Sequence, residues 1–176
     1  MVEMKFKNKI LSSLLVFVVV ICSVMLTACS SNEPSKILFI VGDKVYATVK
    51  TDGFETIEMP HKPTRSGYIF DGWYTDDGEW TDLFTKDYYS KIELSKDVTI
   101  YSKWVLETYT ITYENLNGAT NPNPTTYTIE SDNIDLVDIS LQGYTFLGWY
   151  SGSFEVTQIA KGSTGDFVVT AKWVEN

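Results

Sequence analysis

Gly-Tyr-Ile-Phe-Asp-Gly-Trp-Tyr at residues 67–74 returns as Gly-Tyr-Thr-Phe-Leu-Gly-Trp-Tyr at residues 143–150. Each copy is followed by a short run that ends in Lys-Trp-Val, at residues 98–105 and at residues 167–174. A chain that repeats its aromatic residues in one order is built from two copies of one small module. Repeated modules mostly bind, space or display other molecules, so this repetition favours those roles over catalysis.

The run that closes each copy alternates apolar or small residues with more polar ones. One face carries Val98, Ile100, Ser102 and Trp104 in the first copy, and Phe167, Val169, Ala171 and Trp173 in the second. A period of two indicates strands with one face on a core. We therefore expect six rings to form the structural core, namely Phe70, Trp73, Trp104, Phe146, Trp149 and Trp173.

The two copies define two modules of similar length. Module one is predicted to span residues 36–106, and module two residues 107–176. Short β-branched and aromatic runs, separated by turns rich in Gly, Asn and Pro, predict strands. Glycines inside the repeated phrase, Gly72 and Gly148, predict bulges or close backbone approaches. The predicted fold class is mostly β, with two tandem small modules.

The repeated phrase and the closing Lys-Trp strand resemble the Listeria–Bacteroides repeat. This module is found in the B-repeat region of internalins and in many bacterial surface proteins. The resemblance covers both modules and implies an α+β, β-grasp-like fold: a curled sheet with a short helix, used in tandem on cell surfaces. It brings no common catalytic residues. The chain departs from the pattern at Leu147, where the first copy has Asp71, and in module one, which is seven residues longer between Trp73 and Trp104.

The first residues have the layout of a secretory signal. Lys5, Lys7 and Lys9 precede an apolar run over 10–26, and Leu-Thr-Ala-Cys at 26–29 resembles the lipobox of bacterial lipoproteins. We therefore predict a signal peptide over 1–28, then a lipidated Cys29 and a short tether over 29–35. Cys29 would carry a diacylglycerol, with or without an N-acyl chain. An uncleaved membrane anchor and a plain Cys29 are the alternatives.

Charge and cysteine content limit the classes of partner and chemistry. The net charge is −9, and the segment before Cys29 contributes +2 through Lys5, Lys7, Lys9 and Glu3, which leaves −11 from Cys29 onward. Such a surface repels nucleic acid. The two cysteines are Cys22, inside the apolar run, and Cys29. The folded modules therefore have no thiol for a disulfide, a zinc site or catalysis, and we predict no cofactor and no metal.

Few residues are candidates for a site. His61 is the only histidine and lies in a Pro-rich loop, so a catalytic dyad or triad has no second member. The acidic run Asp76, Asp77, Glu79 and Asp82 is a solvated loop or a calcium site; it lacks the twelve-residue calcium loop with a terminal Glu. Three aromatic residues in the longer part of module one are either ligand contacts or packing residues: Trp80, Tyr88 and Tyr89.

These observations predict a non-enzymatic lipoprotein on the extracytoplasmic face of the cell membrane. Its tandem modules would serve as an adhesion, spacer or protein-interaction unit, held to the membrane by lipid. The expected partner is a protein or glycan of the cell envelope or of a host surface. The alternative is a lipoprotein that captures a solute or glycan with the module-one aromatic residues.

Overall fold

Eleven strands form the part of the chain that the computed structural model describes, residues 35–51, 57–87 and 97–176. Module one contains β1 (Ser35–Val41), β2 (Lys44–Thr51), β3 (Tyr68–Tyr74) and β4 (Val98–Leu106). Module two contains β5 (Tyr109–Glu114), β6 (Thr126–Tyr127), β7 (Ile134–Asp135), β8 (Tyr144–Ser151), β9 (Phe154–Glu155), β10 (Gln158–Ile159) and β11 (Phe167–Glu175).

Both modules arrange their strands around one parallel pair. The sheet orders are β2-β1-β4-β3 and β6-β5-β11-β8-β9, and a separate pair joins β10 to β7. In each module the opening strand runs parallel to the closing strand, β1 with β4 and β5 with β11. The strand that carries the repeated phrase lies antiparallel on the other side of the closing strand. The prediction of a mostly β fold in two tandem modules is confirmed.

The short helix that the family resemblance implies is not found in the described residues. Module two is described throughout, and between β5 and β8 it holds only turns and the two-residue strands β6 and β7. Gly118, Pro122 and Pro124 in this stretch are poor helix formers, which is consistent with the outcome. Within residues 35–51, 57–87 and 97–176 there is likewise no helix of the length and apolar character that a membrane crossing requires.

A β-bulge interrupts the repeated phrase in both modules. Phe70 pairs with Trp104 and Gly72 with Lys103, so Asp71 is the extra residue. In module two, Leu147 takes the same place. Gly72 and Gly148 have φ angles of 154° and 122°, which other residues rarely adopt. The bulge prediction is therefore confirmed.

The lysine before each closing Trp pairs with the bulge glycine. Lys103 pairs with Gly72 across the strands and forms an ion pair with Asp71 at 2.8 Å. The hydrogen bond that Lys103 donates to the Asp71 carboxylate raises the pKa of the lysine, although burial acts in the opposite direction. Lys172 pairs with Gly148 and lies 3.6 Å above the Tyr150 ring. Lys103 likewise lies 5.1 Å from the centroid of the Tyr74 ring, so each module places this lysine over the last Tyr of the repeated phrase.

Each module has its own aromatic core. Trp73 and Trp149 are 4% and 2% exposed, and each meets a Phe of the repeated phrase edge to face, at 5.2 and 5.3 Å between ring centroids. The closing residues Trp104 and Trp173 are only half-buried. Burial of one Trp removes about 150–250 Å² from water, an upper bound of about 4–6 kcal/mol at 25 cal/mol per Å². The first Trp of each copy is thus the centre of the core, and the second closes its edge.

The modules meet at the start of β3. The Tyr68 hydroxyl of module one donates to the Glu130 carboxylate of module two. The Glu107 amide, which donates to the Gly67 carbonyl at 3.0 Å, extends the pairing of β3 with β4, as the Asn176 amide does with the Gly143 carbonyl in module two. Gly67 is buried, and a Cβ atom placed on it would lie 2.5 Å from Cβ of Ile129. This φ +76° glycine therefore allows module two to contact the backbone of module one closely.

Candidate functional site

A groove of ≈ 510 Å³ opens on module one between the end of β1, strand β4 and the loop that follows β3. Its walls combine aromatic, aliphatic and charged side chains. The lining residues are Ile40, Val41, Gly42, Arg65, Asp77, Trp80, Tyr101, Ser102 and Trp104. The volume lies within the range of about 300–1,000 Å³ that ligand pockets span.

Trp80 enters this groove on a loop that its neighbours hold in place. Its backbone has φ +56°, unusual for a residue with a side chain. The Asp76 carboxylate accepts hydrogen bonds from the amides of Trp80, Thr81 and Asp82, the last two at 3.0 and 3.1 Å. Burial raises the pKa of Asp76, but these backbone hydrogen bonds outweigh it and lower the pKa below its usual value. The Trp80 ring packs edge to face on Tyr74 at 5.6 Å.

Trp104 forms the opposite aromatic part of the lining. Its indole N–H donates to the Ser102 hydroxyl at 2.9 Å, and its ring meets Phe70 edge to face at 5.5 Å. Tyr101 lies on the same strand and is half-buried. The indole is thus fixed by one hydrogen bond and one ring contact before any ligand arrives, which lowers the entropy cost of binding.

Module two fills the corresponding place with its own backbone. The Trp173 indole N–H donates to the Asn115 carbonyl at 2.8 Å, and the Asn115 side chain donates to the Ala171 carbonyl at 2.7 Å. Ala171 stands where module one has Ser102, so the indole has no hydroxyl there. Leu116 and Ala119 then pack on the module-two core.

The length of one connection accounts for much of this difference. In module one the first two strands are joined by the two-residue turn Gly42-Asp43, in which Gly42 has φ +59°. In module two the equivalent connection runs from residue 115 to residue 125. A two-residue hairpin turn cannot reach over the end of the sheet, whereas the longer loop covers it.

Two charged side chains flank the groove, Arg65 and Asp77. The Arg65 guanidinium lies 3.7 Å above the Tyr68 ring. Tyr68 is the residue that donates to Glu130, and that hydrogen bond, followed by burial, raises its pKa although Arg65 opposes the shift. Arg65 therefore contacts the junction between the modules as well as the groove. Asp77 lies on the loop beside Trp80.

The acidic run contains no metal site in the described residues. No three side chains of the His, Cys, Asp and Glu types come together there in a way that could hold an ion. Asp76 uses its carboxylate on three loop amides, and Asp82 lies within hydrogen-bond reach of Thr75 at 3.4 Å. Asp76 thus stabilises the backbone of the loop that carries Trp80.

The structure brings together some of the residues that the sequence singled out. Trp80 lines the groove, and His61 is exposed in its loop. Phe70 and Phe146 are half-buried and pack against the two cores. The other candidates, Tyr88, Tyr89 and Cys29, lie outside the described residues.

The seven extra residues of module one do not all lie in the acidic loop. Nine positions separate Tyr74 from its bridge partner Leu83, whereas five separate Tyr150 from its partner Glu155. Four extra residues therefore belong to this loop, and the other three lie between Leu83 and Trp104.

Asp77 was a candidate only as part of the acidic run. Six further lining residues were not among the site candidates from the sequence: Ile40, Val41, Gly42, Arg65, Tyr101 and Ser102. Trp104 was expected in the core alone. One signal was available, because the turn between the first two strands is two residues long in one copy and much longer in the other. A difference of that size between two copies indicates that one end of the sheet is covered differently.

Comparisons with known proteins agree with the duplicated architecture. The Listeria-Bacteroides repeat domain family matches residues 36–103 and again residues 109–172. A protein of Evansella cellulosilytica named as a membrane protein is 29% identical over 143 residues, which cover 77% of this chain and 20% of that protein. A Gly-rich membrane protein of the same organism is 27% identical over 140 residues, 77% of this chain and 15% of its own length.

A third relative comes from a different genus. Internalin H of Listeria monocytogenes is 28% identical over 141 residues, which cover 76% of this chain and 24% of the internalin. The chain thus spans about a quarter or less of each of these relatives. Two of these relatives are named as membrane proteins and the third as an internalin.

Proposed function

Because the chain belongs to the Listeria-Bacteroides repeat domain family, we propose that it is a membrane-tethered surface protein whose two repeats form a non-catalytic adhesion, spacer or protein-interaction unit. One observation carries this proposal: both copies of the repeated phrase direct their first Trp into a core, with Trp73 and Trp149 4% and 2% exposed. The repeated residues are thus used to build two similar supports. The modules differ more in the loops that connect their strands, such as the connections after β1 and after β5.

The proposed tether is the lipid on Cys29. One acyl chain gives only marginal, reversible membrane binding, whereas two hold a protein stably. A diacylglycerol supplies two. The residues between Cys29 and β1 are few, and at about 3.4 Å per residue they reach roughly 20 Å, so module one would stay near the bilayer.

Radiolabelled palmitate tests the tether directly. We expect label in the wild-type chain and none in Cys29→Ala, which should also leave the membrane fraction or retain an uncleaved signal. The matched control is Cys22→Ala, because it removes the other cysteine of the chain and should keep the label. Equal labelling of the two variants, or an unlabelled wild type, would refute lipidation at Cys29.

The interaction role is tested on intact cells. A membrane-impermeant amine cross-linker should capture envelope neighbours through exposed lysines such as Lys36 and Lys172. We expect the same neighbours with wild type and with Cys22→Ala, and their loss when the chain is released from the membrane. Capture of cytoplasmic proteins alone would contradict an extracytoplasmic position.

A second function is favoured by the groove on module one. Its position beside Trp80 supports capture of a solute or glycan by this module. Module two, whose Trp173 indole N–H bonds to its own Asn115 carbonyl, would then act as the support.

A further inference from the structure

We propose that the module-one groove binds a short, uncharged oligosaccharide between Trp80 and Trp104. This inference deepens the second function above and does not depend on the lipid at Cys29. The groove is lined on one side by the loop after β3 and on the other by β4 and the end of β1. Both indoles are half-buried, so each keeps an exposed part that a ligand can contact.

The aromatic walls are held in position by the fold. Trp80 has φ +56° and is fixed by the Asp76 carboxylate, which accepts from the backbone amides of residues 80 to 82. Trp104 is fixed by the Ser102 hydroxyl and by the Phe70 ring. Rings that are already ordered lose little freedom when a ligand stacks on them, and this favours binding.

The two modules differ at the end of the sheet where the groove lies in module one. The same sheet end in module two is closed by Asn115, which accepts from the Trp173 indole and donates to the Ala171 carbonyl. Module two also has no counterpart of the four extra loop residues between Tyr74 and Leu83. Trp80 and the open end of the sheet therefore come together in one copy alone.

The lining chemistry fits a neutral sugar chain. Sugars present apolar C–H faces, which pack on aromatic rings, and hydroxyl edges, which need both donors and acceptors. Arg65 supplies donors and Asp77 supplies acceptors, and both residues are exposed. The site holds one cation and one anion, so it favours no net charge. The −9 charge of the chain further repels anionic polymers.

A peptide is the competing ligand class for this groove. Extended peptides bind sheets mainly by adding a strand to an exposed edge. Strand β4 pairs with β1 only from Val98 to Tyr101, so its residues from Ser102 onward have no strand partner on that side in the described part of the chain. An added strand would use the backbone of β4 and not the two indoles, whereas a sugar would stack on the indole rings. The test below therefore includes a peptide.

The test follows the indole N–H resonances of the five tryptophans by two-dimensional NMR. The full chain is held in a detergent that has no sugar head group, because such a head group would compete. Cellohexaose, maltohexaose, xylohexaose and the hexamer of N-acetylglucosamine are added separately to millimolar concentrations. We expect at least one of them to shift Trp80 and Trp104 saturably and to leave Trp149 unchanged. An uncharged Ser-Gly hexapeptide serves as the competing ligand class.

Variants then locate the site. Trp80→Ala should weaken binding about tenfold or more, as expected for an aromatic contact residue. The matched control is Phe154→Ala, which removes a ring that is 78% exposed in module two and should change affinity less than about twofold. Asp77→Asn keeps the side-chain shape and should weaken binding several-fold. Asp77→Asn tests the same site if Trp80→Ala does not fold.

Three outcomes would overturn the inference: no saturable shift with any of the four sugars, a shift that survives Trp80→Ala in a folded chain, or a response to the hexapeptide alone. None of these bears on palmitate labelling at Cys29. The tether and the sugar site can therefore fail separately.

Discussion

Alanine variants of Gly67 and Gly143 together measure how much the contact between the modules contributes to stability. Both precede the Tyr of the repeated phrase, and both have positive φ, +76° and +83°. A Cβ on Gly67 would lie 2.5 Å from Cβ of Ile129, whereas a Cβ on Gly143 would meet nothing within 4 Å. Alanine at either position therefore imposes the same kind of backbone strain, but only Gly67→Ala also forces two modules apart.

The two costs can be separated by magnitude. A side chain at positive φ costs roughly 1–2 kcal/mol, and both variants should incur it. Overpacking a close contact adds about 1–3 kcal/mol. Ile129 has little room to retreat, because it lies in a turn closed by the Ser131 amide donating to the Thr128 carbonyl at 3.0 Å. We therefore expect Gly67→Ala to lower the free energy of unfolding by about 1–3 kcal/mol more than Gly143→Ala does.

Urea denaturation of both variants beside the wild type measures this difference. A difference of that size corresponds to about 4 °C in Tm for each kcal/mol in a unit of this length, so calorimetry gives a second measurement. The amide resonance of Glu107, which donates to the Gly67 carbonyl, should also shift in Gly67→Ala. Equal losses for the two variants would refute the direct contact between Gly67 and Ile129.

Three further predictions concern the core, the bulge and alkaline pH. Trp149→Ala should lower the free energy of unfolding by about 3–5 kcal/mol, and Trp173→Ala should lower it clearly less, because Trp149 is 2% exposed and Trp173 is half-buried. Urea titration followed by near-ultraviolet circular dichroism measures both losses. Gly148→Ala, at φ +122°, should lose about 1–2 kcal/mol by the same titration, and an unchanged midpoint would argue against the bulge. Burial raises the pKa of Tyr113 from 10.0 to about 12. Because this hydroxyl ionises first in the unfolded chain, the free energy of unfolding should fall between about pH 10 and pH 12. Melting temperatures measured over this pH range should fall less steeply in Tyr113→Phe than in the wild type.

The strands and their faces could be predicted because a period of two is a local property. The closing strand of module two shows Val169 and Ala171 buried with Val168 and Lys172 exposed, as alternation requires. The bulge was also predictable, since a glycine inside a strand pattern commonly marks a bulge or a close backbone approach. In both cases the sequence pattern carries the information within a few residues.

The position of each Trp in the core could not be predicted in the same way. Alternation assigns Trp104 and Trp173 to the core face, but it does not say how far along the strand the core extends. Both lie one step past the bulge, where the sheet partner is Phe70 or Phe146 and the core ends. Burial at a strand end depends on which loop covers it, and that is a long-range property.

Neither the groove nor the contact between the modules could be predicted from the sequence, and the physical reason is the same for both. The groove exists because a short turn after β1 leaves the sheet end open, and because a loop after β3 carries Trp80 toward it. These segments are far apart in sequence, and no periodicity links them. The contact of Gly67 with Ile129 likewise joins residues from two modules, and the sequence shows only a glycine that suits a turn.

A duplicated chain separates the residues that make the fold from those that make the surface. Whatever both copies share, the bulge glycine, the buried Trp and the lysine over a ring, forms contacts within its own sheet. Two of the differences, Ser102 against Ala171 and a two-residue turn against a long loop, lie at the end of the sheet that carries Trp104 or Trp173. Others lie elsewhere, such as Asp71 against Leu147 in the bulge and the pair of β7 with β10 in module two. The shared residues therefore determine the sheet, whereas the connecting loops determine whether its end is open, as beside Trp104, or covered, as beside Trp173.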